Sequence, residues 1–186
     1  RLLVSGVLVG ALLASLMTIV LVLSRQDSNR ILAWLLGSLS TMFWPRVGLM
    51  ALGLGIALIG LFPLANQLNA MAASETSAVQ LGVDPRRLIR RTVLACSAAT
   101  GICVGAVGLI GFLGLLAPHL ARALVGVDGR RVMPVAALIG ALVLLVADLL
   151  AQRIVRSLEL PVGAVTAVLG AVSLILILRR GPERGY

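Results

Sequence analysis

The chain has 186 residues, of which 60% are hydrophobic and only 12% charged, about half the charged fraction of an ordinary soluble domain. Sixteen arginines, no lysine and seven acidic residues leave a net charge of +9. This excludes a soluble globular protein and makes the chain a polytopic membrane protein, whose basic excess follows membrane orientation and not nucleic acid.

One crossing of a bilayer takes about 20 apolar residues, and the segments 2–23, 47–65, 134–151 and 161–178 meet that length. The first begins Arg1-Leu2-Leu3 with no methionine and no signal-peptide pattern, which predicts a span entered partway through a longer polypeptide. Next comes SRQDSNRILAWLLGSLSTMFWPR, 24–46, where Trp34 and Trp44 predict an interfacial helix with aromatic anchors. Glycine pairs at packing spacing, Gly6/Gly10 and Gly101/Gly105, predict close helix crossings.

Between the second and third apolar runs lies AASETSAVQLGVDPRRLIRR, 72–91. Ser74 or Thr76 caps a short helix entered at Glu75, Gly82 ends it, and Asp84-Pro85 starts another. Two short helices joined by a glycine make a compact basic platform suited to receive force from a soluble partner. The run 92–125 is too long for one crossing: its 34 residues would reach about 50 Å against a hydrocarbon core of about 30 Å. It is predicted to fold back at Gly108, Gly111 or Gly114.

Charge supports the fold-back. With two crossings, Arg1, Arg86, Arg87, Arg90, Arg91, Arg122, Arg130, Arg131, Arg179, Arg180 and Arg184 share one face, and Arg25, Arg30, Arg46, Arg153 and Arg156 the other. This bias puts the C-terminus in the cytoplasm. The second limb, about 110–125, contains Pro118, His119 and Arg122 and is predicted to be buried in protein.

The polar residues offer no catalytic set. Without lysine there is no phosphate loop of the GxxxxGK[ST] kind, and one histidine with seven scattered acids gives neither HExxH nor a carboxylate pair. Cys96 and Cys103, about 10 Å apart along a helix, are too distant for a disulfide and read as packing residues. Asp148 stands in an apolar span and invites a proton-carrier role together with His119. Against that, the ten Leu, Ile and Val residues of 135–150 contribute about −0.3 to −0.6 kcal/mol each, enough to offset a central aspartate at about +2.5 to +3.5. Asp148 near Gln152 or Arg153 therefore reads as a structural hydrogen-bonding or pairing group.

GLIGFLGLLAPHLARALVGVDGRRVMP (108–134), GALVLLVAD (140–148), ELPVGAVTAVLGA (159–171) and SAVQLGV (77–83) resemble the permease of FecCD-type ABC importers for iron-siderophores, haem or cobalamin. The resemblance implies an all-α transmembrane bundle, with 1–186 as the C-terminal part of a single permease domain: about six of a family member's ten spans. It implies that 72–91 is a pair of coupling helices pressed into an ATPase subunit, with Ser77, Gln80, Leu81, Gly82, Asp84, Arg86 and Arg87 at the contact. It implies a second permease subunit, as homodimer or pseudo-dimer, two ATPase subunits that hold ATP and magnesium, and a periplasmic or lipid-anchored binding protein. The resemblance implies no cofactor in this chain, an iron chelate as cargo and the bacterial inner membrane as location. The family's docking arginine matches Gln152 here, so Arg153 or Arg156, with Glu159, is expected to substitute. Pro118, His119, Arg122 and Asp148 become structural or translocation-path candidates. Val172-Ser173 replaces the family's usual proline and aromatic.

Overall fold

A computed structural model describes residues 2–23, 28–39, 43–154 and 161–179, and among them every regular element is helical. The chain divides into two units, Arg1–Leu35 and Leu36–Tyr186.

The first unit holds α1 (Leu2–Leu23) and α2 (Ser28–Leu35). Helix α1 is apolar all round, as befits a span with no water-facing stripe. Two of its hydroxyls are satisfied within the helix, Ser15 donating to the Ala11 carbonyl and Thr18 to that of Ala14, each at 2.9 Å. The predicted interfacial helix over 24–46 is shorter than expected. Helix α2 carries Trp34, whereas Trp44 opens the next span, because Pro45 at the second position suits a helix start.

The second unit contains α3 (Trp44–Leu61), a 3₁₀ turn (Phe62–Leu64), α4 (Ala65–Ala73), α5 (Glu75–Gln80), α6 (Pro85–Val107), α7 (Leu113–Val125), α8 (Gly129–Ile154) and α9 (Val162–Arg179). Four helical stretches are long and apolar enough to cross a membrane: Gly6–Leu23, Trp44–Ala73, Pro85–Val107 and Gly129–Arg153. Leu113–Val125 and Val162–Ser173 are apolar but shorter. Helix α3 packs on α6, and α7 packs on α8, with α9 against both α7 and α8.

Close approach of α3 and α6 rests on Gly53 and Gly60, seven residues apart on one face. A methyl group at Gly53 would come within 2.9 Å of the Cys103 sulfur, and one at Gly60 within 2.8 Å of the Ala95 methyl. Within its own unit, neither Gly6/Gly10 nor Gly101/Gly105 has a neighbour within 4 Å of where a methyl group would stand, so the crossings expected there are not made inside either unit among the described residues. Cys103 is half-buried at the α3 crossing and Cys96 is exposed.

The fold-back occurs where the glycines allow it. Helix α6 ends at Gly108, which has φ of +80°, and the chain re-enters a helix after Phe112, a non-glycine residue at φ +62°. Phe112 packs its side chain against Gly170 of α9, where any side chain would collide. At this end three connections interlock through the backbone: Ser38 N–H donates to Val107 O at 3.1 Å, and Gly163 N–H to Gly37 O at 3.4 Å. At the opposite end α4 meets the start of α8. The 92–125 run therefore reverses direction. Arg86, Arg87, Arg90, Arg91, Arg130 and Arg131 gather at one end of this unit, with Arg46 and Arg153 at the other.

Burial of the second limb is only partial. Helix α7 buries Ala117 and Ala121 but leaves His119 and Arg122 exposed, because α8 and α9 cover one side of it.

Candidate functional site

The segment between α4 and α6 forms a rigid surface feature built by local signals. Ser74 is extended (φ −166°, ψ 128°), and its carbonyl accepts the Ala78 N–H at 3.0 Å, so α5 begins there. Helix α5 ends in a paired closure, Gly82 N–H to Val79 O at 2.9 Å and Val83 N–H to Ala78 O at 3.0 Å. This closure needs a left-handed residue, and Gly82 supplies it at φ +80°.

Asp84 then caps α6. Its Oδ1 accepts from the Arg86 and Arg87 backbone N–H groups at 3.0 and 3.3 Å, and its Oδ2 pairs with Arg87 Nε at 3.0 Å. Pro85 stands at the first helical position, where no N–H is required.

Two apolar anchors hold this platform to the unit, Ala78 at 0% exposure and Leu88 at 2%. What it presents outward is Val79 at 53% and Leu81 at 75% exposure, beside exposed Gln80, Gly82, Arg86 and Arg87. Ser77 lies within α5. The result is a capped frame that exposes Val79 and Leu81 and also carries Arg86 and Arg87, features suited to a protein cleft with apolar walls and acidic groups.

The remaining candidates are not gathered at one place. Asp148 Oδ2 accepts from Gln152 Nε2 at 2.8 Å. His119 lies six residues before the end of α7, and Asp148 nineteen residues into α8. At 1.5 Å per residue they are separated by about 20 Å along the antiparallel pair, so no direct proton relay joins them. Pro118 borders an apolar cleft of about 560 Å³ with Leu54, Leu58, Met133 and Leu144. Arg122 lies in the last turn of α7, where a cation complements the helix dipole.

At the far end of α8 the Gln152 amide is turned onto Asp148, and Arg153 is the exposed cation of the last turn. Arg156 and Glu159 lie outside the described residues. No group of three or more metal-ligating side chains occurs among the described residues.

One polar contact was not foreseen from sequence. Asn69 of α4 donates from Nδ2 to Asp128 Oδ1 at 2.8 Å and accepts the Gly129 N–H on its Oδ1 at 2.8 Å. Asp128 also caps α8 through the Arg130 N–H at 3.0 Å. The Asn69 hydrogen bond first, then the Arg130 N–H and the charges of Arg131 and Arg130, hold the Asp128 carboxyl below the usual carboxylate range. Asp128 before Gly129 is a readable cap signal, but nothing in a linear pattern names a partner 59 residues away.

Residues 1–180 match the model of the FecCD transport family. The chain is 40% identical over 179 residues to the Fe(3+)-citrate import system permease protein YfmE of Bacillus subtilis (strain 168), covering 94% of this chain and 53% of that protein. It is 42% identical over 182 residues to the Fe(3+) dicitrate transport system permease protein FecD of Escherichia coli (strain K12), covering 97% and 57%. To the vitamin B12 import system permease protein BtuC of Salmonella typhi it is 39% identical over 179 residues, covering 96% and 55%. A solved ABC transporter assigned to the metal-chelate type, in an inward-facing conformation, superposes with a TM-score of 0.82 at 28% identity over 94% of this chain and 57% of that one. The chain thus spans about half the length of the curated relatives it matches.

Proposed function

The chain belongs to the FecCD transport family, and from that premise we propose that it forms part of the membrane-spanning permease of an ATP-driven importer for metal chelates, iron-siderophore complexes first among them. Residues 1–186 are part of one permease domain, with 72–91 as its coupling segment. The arginine-rich end faces the cytoplasm of a bacterial inner membrane, in keeping with the positive-inside rule.

In this reading the permease pairs with a second permease subunit, as homodimer or pseudo-dimer. Two ATPase subunits bind ATP and magnesium and press on the capped platform at Val79, Leu81, Gly82, Arg86 and Arg87. Their closure and opening rock the permease between inward- and outward-open states. A periplasmic or lipid-anchored binding protein delivers the chelate at the other end, where Arg153 stands exposed, with Arg156 and Glu159 following in sequence. A guanidinium there suits an acidic side chain on that partner.

The single observation that carries the reading is the platform itself. An exposed apolar knob costs free energy in water, yet here it is held rigid by a glycine closure, an aspartate cap and two buried anchors. That construction fits a surface that another protein covers. The proton-carrier alternative lacks comparable support, since His119 and Asp148 do not meet.

The test is ATP-driven chelate uptake by the full-length permease reconstituted with its ATPase and binding protein. Arg86→Glu with Arg87→Glu lowers both uptake and stimulated ATP hydrolysis while the permease remains in the membrane. Undiminished uptake, or uptake that needs a proton gradient and no ATP, contradicts the reading.

A further inference from the structure

We propose that Asn69 and Asp128 form a strut that makes α8 follow the coupling segment, so that they act as positioning residues for transport. This rests on the permease function proposed above and adds the route by which displacement leaves the platform.

Three features of the structure converge on it. First, α4 is set off from α3 by the 3₁₀ turn Phe62–Leu64, in which Pro63 has no N–H to return to the preceding turn. The regular α-helical ladder of the long span is therefore interrupted between α3 and α4. Second, α4 runs into α5 through the single extended residue Ser74, so displacement of the platform reaches α4 directly. Third, Asn69 on α4 grips the start of α8 with both ends of its amide, one on the Asp128 carboxylate and one on the Gly129 N–H, at 2.8 Å each.

Gly129 lets the two helices come this close. A methyl group there would lie 2.9 Å from Asn69 Oδ1 and 3.7 Å from the Ala65 carbonyl oxygen. Ala65 is fully buried beneath the contact. Helix α8 has 26 residues, with Pro134 inside its second turn, and at 1.5 Å per residue runs about 39 Å from the strut to the opposite end, where Asp148, Gln152 and Arg153 lie. A two-point polar grip fixes both position and rotation, which apolar contact between α4 and α8 does not.

The strut separates transport from ATP consumption, and that is how it is tested. In the full-length permease assembled with its ATPase and binding protein, Asn69→Ala and Asp128→Ala each lower chelate uptake per ATP hydrolysed about fivefold or more, the lower range of measured site-to-site coupling, while stimulated hydrolysis stays near wild type. The exchanged pair Asn69→Asp with Asp128→Asn restores the ratio. The carboxylate moved to α4 would accept from the amide moved to the start of α8 and from the Gly129 N–H, and the oxygen of that amide would still cap Arg130. Uptake and hydrolysis falling together in proportion to the amount of assembled complex, an unchanged ratio, or an exchanged pair that fails to recover would each overturn the proposal. Amide exchange at Gly129 reads the contact independently of transport: it accelerates in Asn69→Ala if the strut stands, and an unchanged rate overturns it. A wild-type complex with no ATP-driven uptake but accelerated exchange at Gly129 in Asn69→Ala would overturn the permease reading, and the strut's transport role with it, while leaving the contact established.

Discussion

The two ends of the second unit are closed in opposite ways. At one end the 36–39, 108–112 and 161–163 connections meet backbone to backbone, with Gly37 and Gly163 admitting carbonyl oxygens where a side chain would collide and Phe112 packed against Gly170. At the other end side chains enter: the Asp84 and Asp128 caps and the Asn69 amide hold α4, α6 and α8 in place, beside the backbone closure of α5 at Gly82. Backbone interlocking tolerates almost no change and leaves little to touch. Side-chain capping tolerates change and leaves Val79 and Leu81 exposed on a fixed frame. The first arrangement suits a joint that stays shut within the chain, the second a surface made to be engaged.

Substitutions break this contrast in order of size. Gly163→Leu forces a side chain onto the Leu36 and Leu109 carbonyls and costs about 3 kcal/mol or more, since backbone cannot give way as a side chain can. The expected result is a sharp fall in folded permease, read as yield and unfolding midpoint in detergent. Gly82→Val places a β-branched residue at φ +80°, a strain of about 1–2 kcal/mol. It is confined to the platform, so membrane yield persists and ATP-driven uptake falls; Gly82→Asn, which visits that conformation more readily, retains more.

Asp84→Ala removes the cap of α6 at a cost of about 1 kcal/mol, seen as faster amide exchange at Arg86 and Arg87. Acidification acts on the other cap. Because the folded carboxyl of Asp128 titrates below its unfolded value, its contribution is complete above the unfolded pKa and is lost as pH falls through the folded one. The groups that face it are Asn69 from α4 and Arg130 and Arg131 from α8. A stability profile should therefore drop on the acid side in wild type and flatten in Asp128→Asn. Arg87→Ala gives the smallest effect, under about 0.5 kcal/mol, since the guanidinium that pairs with Asp84 is 81% exposed.

Sequence made the local devices legible. Gly82 as a stop, Asp84-Pro85 as a start and the reversal near Gly108 each rest on one residue's own conformational preference, and the structure has all three. The helix that Asp84-Pro85 starts, however, is the 23-residue α6 and not the second short helix expected, because the apolar run after Arg91 continues it without a break. The family resemblance read from 108–134 and its neighbouring motifs is likewise upheld by the match over residues 1–180. What sequence could not show depends on which helices meet. Spacing marks Gly101/Gly105, yet among the described residues of the second unit it is Gly53 and Gly60 that meet a partner helix. Asn69 reads as one polar residue among several until α8 is brought beside it, and Phe112 gives no sign of a left-handed backbone because tertiary packing against Gly170 sets it. Trp44 falls at the start of α3 and not within the interfacial helix expected over 24–46, because Pro45 encodes a helix start there.

Coupling stands or falls on whether an ATPase covers the knob at Val79 and Leu81. A photo-crosslinking amino acid placed at Leu81 of the full-length permease and activated in intact membranes reports this contact. A covalent adduct with the ATPase subunit is expected, with a yield that changes when nucleotide is bound. Adducts formed only with lipid, or with a protein on the outer side of the membrane, would refute the coupling role.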